Sequence, residues 1–242
     1  MSTNWNFEEC PIVNPNEEHM ALLFLCDISG SMTLQVEQKS RRIDLLNDAL
    51  AGFASAVCTD PKSARTLEVG IIAFDHAQQI VQPFTPVSQM LEMNFNPLCS
   101  TGGGTKIAAA ANFAVDMLDS HVKHLRDGNG VAVRKPWILM VTDGLPEHDT
   151  PEELTNAIFR VKEMEEQNKL RFWSFGVGEY DRDTLKRLSG ERAFALQGYN
   201  FSAMIDWTVK SMRAISVAAA GVSPPAPINQ SQGMQQILQL PS

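Results

Sequence analysis

Short, wholly apolar runs that end in polar residues alternate along this chain with stretches whose apolar positions recur every three or four residues. The run Ala21-Leu22-Leu23-Phe24-Leu25-Cys26 has no polar position on either face, as a strand covered on both sides requires. Leu67–Phe74, Trp137–Thr142 and residues 171–177 are largely apolar and also read as strands, and Ala193–Leu196 reads as a short last strand. Helical spacing predicts helices over about 43–57 (Leu46, Leu50, Phe53, Val57), from Thr105 to about Lys123, and over 151–168, 182–188 and 201–217. Thr150 followed by Pro151 has the chemistry of a helix start. Residues 79–82 form a further short strand. Only residues 75–78 join it to the strand before, so those two strands pair antiparallel.

This order of elements predicts a single α/β domain over residues 20–217, with a mostly parallel sheet, one antiparallel strand and helices on both faces. Residues 1–19 read as a polar N-terminal extension. From 218 to 242 the composition shifts to Gly, Ser, Pro and Gln, which reads as a flexible tail. Trp137, Trp173 and Trp207 fall on core positions.

Composition narrows the function. The chain of 242 residues carries a formal charge of -8, which argues against a nucleic-acid or anionic-membrane surface. No apolar run approaches the ~18 residues of a membrane span, and the first residues lack the pattern of a secretory signal. The four cysteines show no CxxC pairing, as expected of reduced thiols in a cytoplasmic protein.

The chemistry gathers at strand ends. Asp27-x-Ser29-x-Ser31 leaves the carboxyl end of the first strand, Thr105 follows Gly102-Gly103-Gly104 at a helix start, and Asp143 ends the strand 137–142. In an open α/β sheet such ends border one crevice. Two carboxylates and three hydroxyls there suit a hard divalent cation such as Mg2+, with Mn2+ or Ca2+ as substitutes. Neutral hydroxyls in the inner shell leave the cation's charge poorly compensated, so it attracts an external acid. Thr101 is a weaker rival of Thr105, which could also serve only as a helix cap.

Other readings of these segments fail on spacing. Gly102-Gly103-Gly104-Thr105-Lys106 lacks the phosphate-loop order. Ser29 and Ser31 sit in no GxSxG elbow. A phosphohydrolase of the haloacid dehalogenase type is the alternative function. It places an Asp after its first strand but needs a second Asp two residues on as general acid, where this chain has Ser29. His19, His76, His121 and His124 read as solvent-facing or loop residues. Met32 beside the first motif, and Glu147 and His148 after the third, are candidates for a partner-binding surface.

The DxSxS motif, the distant Thr after glycines and the later Thr142-Asp143-Gly144 resemble the metal-ion-dependent adhesion site of von Willebrand factor A domains. Asp27, Ser29, Ser31, Thr105 and Asp143 match its five positions. The likeness covers about residues 20–217. Phrases such as Phe24-Leu-Cys-Asp-Ile-Ser-Gly-Ser-Met32, Ile71-Ile-Ala-Phe74 and Phe175-Gly-Val-Gly178 look most like the bacterial TerY-type proteins of tellurite-resistance clusters. The loop between Met32 and Ile43 is longer and more charged than that family's pattern. The resemblance implies a doubly wound, Rossmann-like sheet, a Mg2+ site at its top and no catalysis. It also implies a protein partner that supplies an acidic residue to the metal. A role as scaffold or regulatory subunit beside a protein kinase and a serine/threonine phosphatase in a stress response follows from the same likeness.

Overall fold

The structure is a computed structural model, and it describes residues 12, 14–36, 40–146, 148–218 and 233–237. Strand β1 (Met20–Asp27) is buried at all eight positions, as its apolar sequence through Cys26 demands, and the buried carboxylate of Asp27 ends it. Among the described residues it is the third strand of a seven-stranded sheet with β2 (Leu67–Phe74), β3 (Gln78–Pro86), β4 (Trp137–Thr142), β5 (Arg171–Gly176), β6 (Ala193–Leu196) and β7 (Met234–Gln236). The strand order is β3-β2-β1-β4-β5-β6-β7. β1 pairs in parallel with both β2 and β4, and the parallel register continues to β6. The two edge strands, β3 and β7, run antiparallel to their neighbours. This is the doubly wound, mostly parallel sheet that the sequence predicts, with β7 as a second antiparallel strand.

Alternate residues of β1 serve the two faces of the sheet. Leu22, Phe24 and Cys26 pack with α1 (Arg42–Ala51), α2 (Phe53–Cys58) and α8 (Phe201–Val217). Ala21, Leu23 and Leu25 face α5 (Ile107–Lys123), α6 (Pro151–Glu166) and α7 (Arg182–Ser189). The first face holds Trp137, Trp173 and Trp207. Trp207 lies 4.7 Å from Trp173 and 5.8 Å from Trp137 between ring centroids. Each such aromatic pair adds roughly 0.5–1.5 kcal/mol beyond its buried area. On the second face Ala108, Ala110, Ala111 and Ala114 of α5 are buried, so this helix lies close against the sheet.

The chain departs from the sequence reading in several places. The helix expected over 43–57 is two helices, divided at Gly52. After it comes α3 (Pro61–Thr66), which the spacing did not predict; Asp60 caps it by accepting Ser63 N–H at 2.8 Å, and Pro61 opens it. The chain after β3 forms a short helix, α4 (Val87–Met90). β3 runs on past residue 82 through Pro83, which a strand at the sheet edge tolerates. Met234–Gln236, inside the segment read as a flexible tail, is the strand β7. It pairs with β6 and buries Met234 and Ile237.

His19 and His121, read as solvent-facing, are both buried. His19 Nδ1 lies 2.7 Å from Glu68 Oε1, and His121 Nε2 lies 2.6 Å from Glu68 Oε2. Burial alone would raise the Glu68 carboxyl, but the hydrogen bonds and charges of His121 and His19 outweigh it and hold the pKa at about 2. For His19, burial opposes the charged form, yet the bond to Glu68 and another to the Asn14 carbonyl carry its pKa above the usual 6.5. This cluster lies at the amino ends of β1 and β2. Cys26, Cys58 and Cys99 are free thiols. Among the described residues no helix is long and apolar enough to cross a membrane.

Candidate metal centre

The chain leaves β1 toward α1 on one face, whereas it leaves β4 toward α6 on the other. The carboxyl ends of these adjacent strands therefore open a crevice where the winding changes direction. Asp27 is the last residue of β1, and Asp143 follows the last residue of β4. Both are buried at this point, with 0% and 2% of their surface exposed. Ser29, Ser31, Thr105 and Asp143 line an open crevice of about 420 Å3, together with Gly102, Gly103 and Gly104. The five residues singled out in the sequence thus converge on one place.

Asp27, Ser29, Ser31 and Asp143 are joined by hydrogen bonds to one another and to Thr142 and Arg42. Asp27 Oδ1 accepts Ser29 N–H at 2.8 Å, and Oδ2 accepts the Thr142 hydroxyl at 2.5 Å. Ser31 donates to Asp143 Oδ1 at 2.5 Å, and Ser29 Oγ lies 3.0 Å from Ser31 Oγ. Burial pushes the Asp27 carboxyl up to about 6 despite the bonds from Ser29 and Thr142, and the nearby Asp143 charge pushes the same way.

The glycine loop is held from below by residues the sequence did not flag. Asp75, which follows β2, accepts the Thr101 hydroxyl on Oδ2 and Ala77 N–H at 2.8 Å on Oδ1. Its backbone carbonyl accepts Lys106 N–H at 2.9 Å. Thr101 is thereby committed to Asp75. Gly30 N–H donates to the Gly103 carbonyl at 2.9 Å and ties the first loop to the second. Thr105 does not cap α5, since the N-cap residue is Lys106 and no side chain of its own fills that role. The cap comes from the third loop: Asp149 Oδ2 accepts Ala108 N–H at 3.0 Å.

The partner-surface candidates fall differently. Met32 is fully buried and packs in the core, because the turn Gly30–Thr33 folds it under the first loop; it is no part of a surface. His148 is exposed, and its imidazole occupies the space a side chain at Gly104 would take. Glu147 lies outside the described residues. Two leucines stand at the mouth of the crevice, Leu34 at 52% and Leu145 at 48% exposure.

One cation already reaches the site. Arg42, the first residue of α1, donates from a terminal guanidinium nitrogen to Asp143 Oδ2 at 2.6 Å. Sequence reading passed over it because it belongs to a loop of several charges. Only the folded chain shows which of them turns inward.

The donor set fits a hard cation. It offers carboxylate and hydroxyl oxygens in an open crevice, without the nitrogen and sulfur ligands typical of zinc sites. Among the described residues no cluster of three or more His, Cys, Asp or Glu side chains is placed to hold a metal. Any cation here would depend on Ser29, Ser31 and Thr105 alongside Asp27 and Asp143.

The von Willebrand factor type A domain family matches residues 21–212. The chain belongs to that family. Solved von Willebrand factor A folds agree, at identities that show the fold alone. The von Willebrand domain of the type V pilus tip protein Mfa5 of Porphyromonas gingivalis has a TM-score of 0.57 at 11% identity, over 85% of this chain and 98% of that one. The pilus adhesin SpaC of Lactobacillus rhamnosus GG gives 0.62 at 12%, over 84% of this chain and 32% of SpaC. Proximal thread matrix protein 1 of the mussel byssus, solved with a zinc-occupied MIDAS motif, gives 0.51 at 14%, over 84% of this chain and 48% of that protein. The chain spans half or less of SpaC and of the byssus protein. No curated protein matches it in sequence.

Proposed function

We propose that this von Willebrand factor A domain is a divalent-cation-dependent protein-binding module, whose partner brings an acidic side chain to the metal. The observation that supports this is that Ser29, Ser31, Thr105 and Asp143 line one open crevice at the top of the sheet, with Asp27 buried beside them and bonded to the Ser29 N–H. When bound, the cation would supply a positively charged, incompletely compensated point of attachment. The protein's own part is to hold the carboxylates under the hydroxyls through the Asp27 and Asp143 hydrogen bonds. Mg2+ is the proposed resident ion on the oxygen-only donor set, with Mn2+ or Ca2+ able to replace it.

The module is proposed to be non-catalytic. The position two residues after Asp27 is Ser29, which cannot serve as the general acid of a phosphohydrolase. On the TerY-type phrases of the sequence, we assign it a scaffold or regulatory role in a cytoplasmic stress-response system of the tellurite-resistance kind, beside a kinase and a serine/threonine phosphatase. Capture from lysate with Mg2+ and with EDTA, using the wild type and Asp27→Ala in parallel, tests the reading. A protein retained only by the wild type with Mg2+ supports it. Identical captures in all four arms overturn it.

A further inference from the structure

Arg42 breaks a local rule. The first turn of a helix favours acidic side chains, because the backbone N–H groups there carry partial positive charge. A buried guanidinium at that position must be held by something outside the helix. Two contacts hold it, and a glycine leaves room for them. Its terminal nitrogen bonds Asp143 at 2.6 Å, and the Arg42 side chain is only 12% exposed. Its guanidinium carbon lies 4.7 Å from the centre of the Tyr199 ring, a cation–π contact. Behind both residues is Gly178, at φ 62°, where a Cβ would come within 3.1 Å of the Tyr199 hydroxyl and 3.4 Å of the guanidinium carbon. Tyr199 itself has φ 59°, in the left-handed region that a tyrosine rarely adopts. A glycine, a strained tyrosine and a buried carboxylate thus combine to seat one arginine. Its Nε is left buried without a hydrogen-bond partner.

Resting on the metal-binding reading above, we propose that Arg42 is a resident counter-charge of the crevice, a positioning residue that trades metal affinity for selectivity toward a carboxylate ligand. The argument is one of charge. Asp27 and Asp143 with a divalent cation would sum to zero, so the ion's uncompensated open position attracts an anion only at close range. With Arg42 the same assembly carries one positive charge, and a single carboxylate neutralises it. Glu179 also lines the crevice, but it is exposed and its field is screened by solvent. Arg42 itself lines the crevice, so an entering carboxylate meets its field directly. The two effects have opposite signs: the guanidinium repels the metal and competes for Asp143 Oδ2, while it attracts the acid.

The test uses the full chain as wild type, Arg42→Gln, Arg42→Lys and Tyr199→Leu, each first checked by circular dichroism. Mn2+ affinity is read by electron paramagnetic resonance. Binding of trifluoroacetate, a simple carboxylate probe, is read by 19F relaxation in saturating Mg2+. Arg42→Gln is expected to bind Mn2+ about tenfold more tightly and the carboxylate about tenfold more weakly, as one screened charge at close range predicts. Arg42→Lys is expected to keep both constants near the wild type. Tyr199→Leu, which unseats the arginine and leaves its charge, should shift both in the direction of Arg42→Gln by less, and it carries the test if Arg42→Gln does not fold. Changes of the same sign in the two constants, or none in either, overturn the inference while leaving metal binding intact. Absence of Mn2+ binding by every protein, wild type included, overturns the metal reading and the inference with it.

Discussion

Thr101 donates its hydroxyl to Oδ2 of Asp75. Asp75 is buried at the end of β2, so this bond fixes the glycine loop to a strand that itself supplies no candidate ligand. The position of Thr105 in the crevice depends on it. Asp75→Ala should weaken Mg2+ binding by about 10–100-fold, the usual effect of losing a residue that orients ligands. Calorimetric titration checks this; an unchanged constant would mean that Lys106 N–H and the Gly30–Gly103 bond suffice to hold the loop.

Asp27→Asn removes a buried charge that burial already disfavours, so the fold should persist. Mg2+ at a hundred times its dissociation constant should stabilise the wild type by about 2.7 kcal/mol. The variant should show no such gain in thermal or urea unfolding. An equal gain in both proteins would place the ion elsewhere.

Asp149→Ala deprives α5 of a cap given by a different loop. The expected cost is about 1 kcal/mol of stability, typical of a lost N-cap. Urea denaturation measures it. Because Asp149 also ties the third loop to the second, proteolysis near residue 148 should quicken in the same variant.

The His19–Glu68–His121 cluster makes stability depend on pH at the end of the sheet away from the crevice. Glu68 titrates at about 2 when folded against the usual 4.5, so its contribution is complete above 4.5 and is lost as the pH falls toward 2. His19 is shifted upward, so its contribution is complete below 6.5 and is lost as the pH rises through the folded value. The cluster should therefore help most between these limits. Glu68→Gln should cost about 3 kcal/mol at pH 5.5, as breaking a buried pair does, and the difference should shrink toward pH 2. A constant difference across the acid range would refute the assignment.

The sequence displays most of the sheet because a strand buried on both faces has to be apolar throughout, and β1 and β4 are. It displays Asp27, Ser29, Ser31, Thr105 and Asp143 because each stands at a strand end or helix start. What it hides is reach across the fold. Arg42 lies in a run of mixed charge, and only the Tyr199 ring and Gly178, 136 and more residues away, show that it turns inward. Glu68 looks like a polar slip in an apolar strand until His19 and His121 close over it. Met32 was misplaced because a motif adjacent to a surface loop need not itself be on the surface. The strand β7 was missed because three residues give too little periodicity to read, and its surroundings are polar.

Both rims of the sheet are poor templates for another chain. β3 contains Pro83 and Pro86, which offer no N–H, and its pairing with β2 shifts register twice. β7 is three residues long, and Gln236 spends its side-chain amide on Glu191. Growth by strand addition, the common route to fibres and edge-to-edge aggregates, is discouraged at each end. Recognition of this molecule is thereby left to side chains, where chemistry can be selective, instead of bare edge backbone, where it cannot.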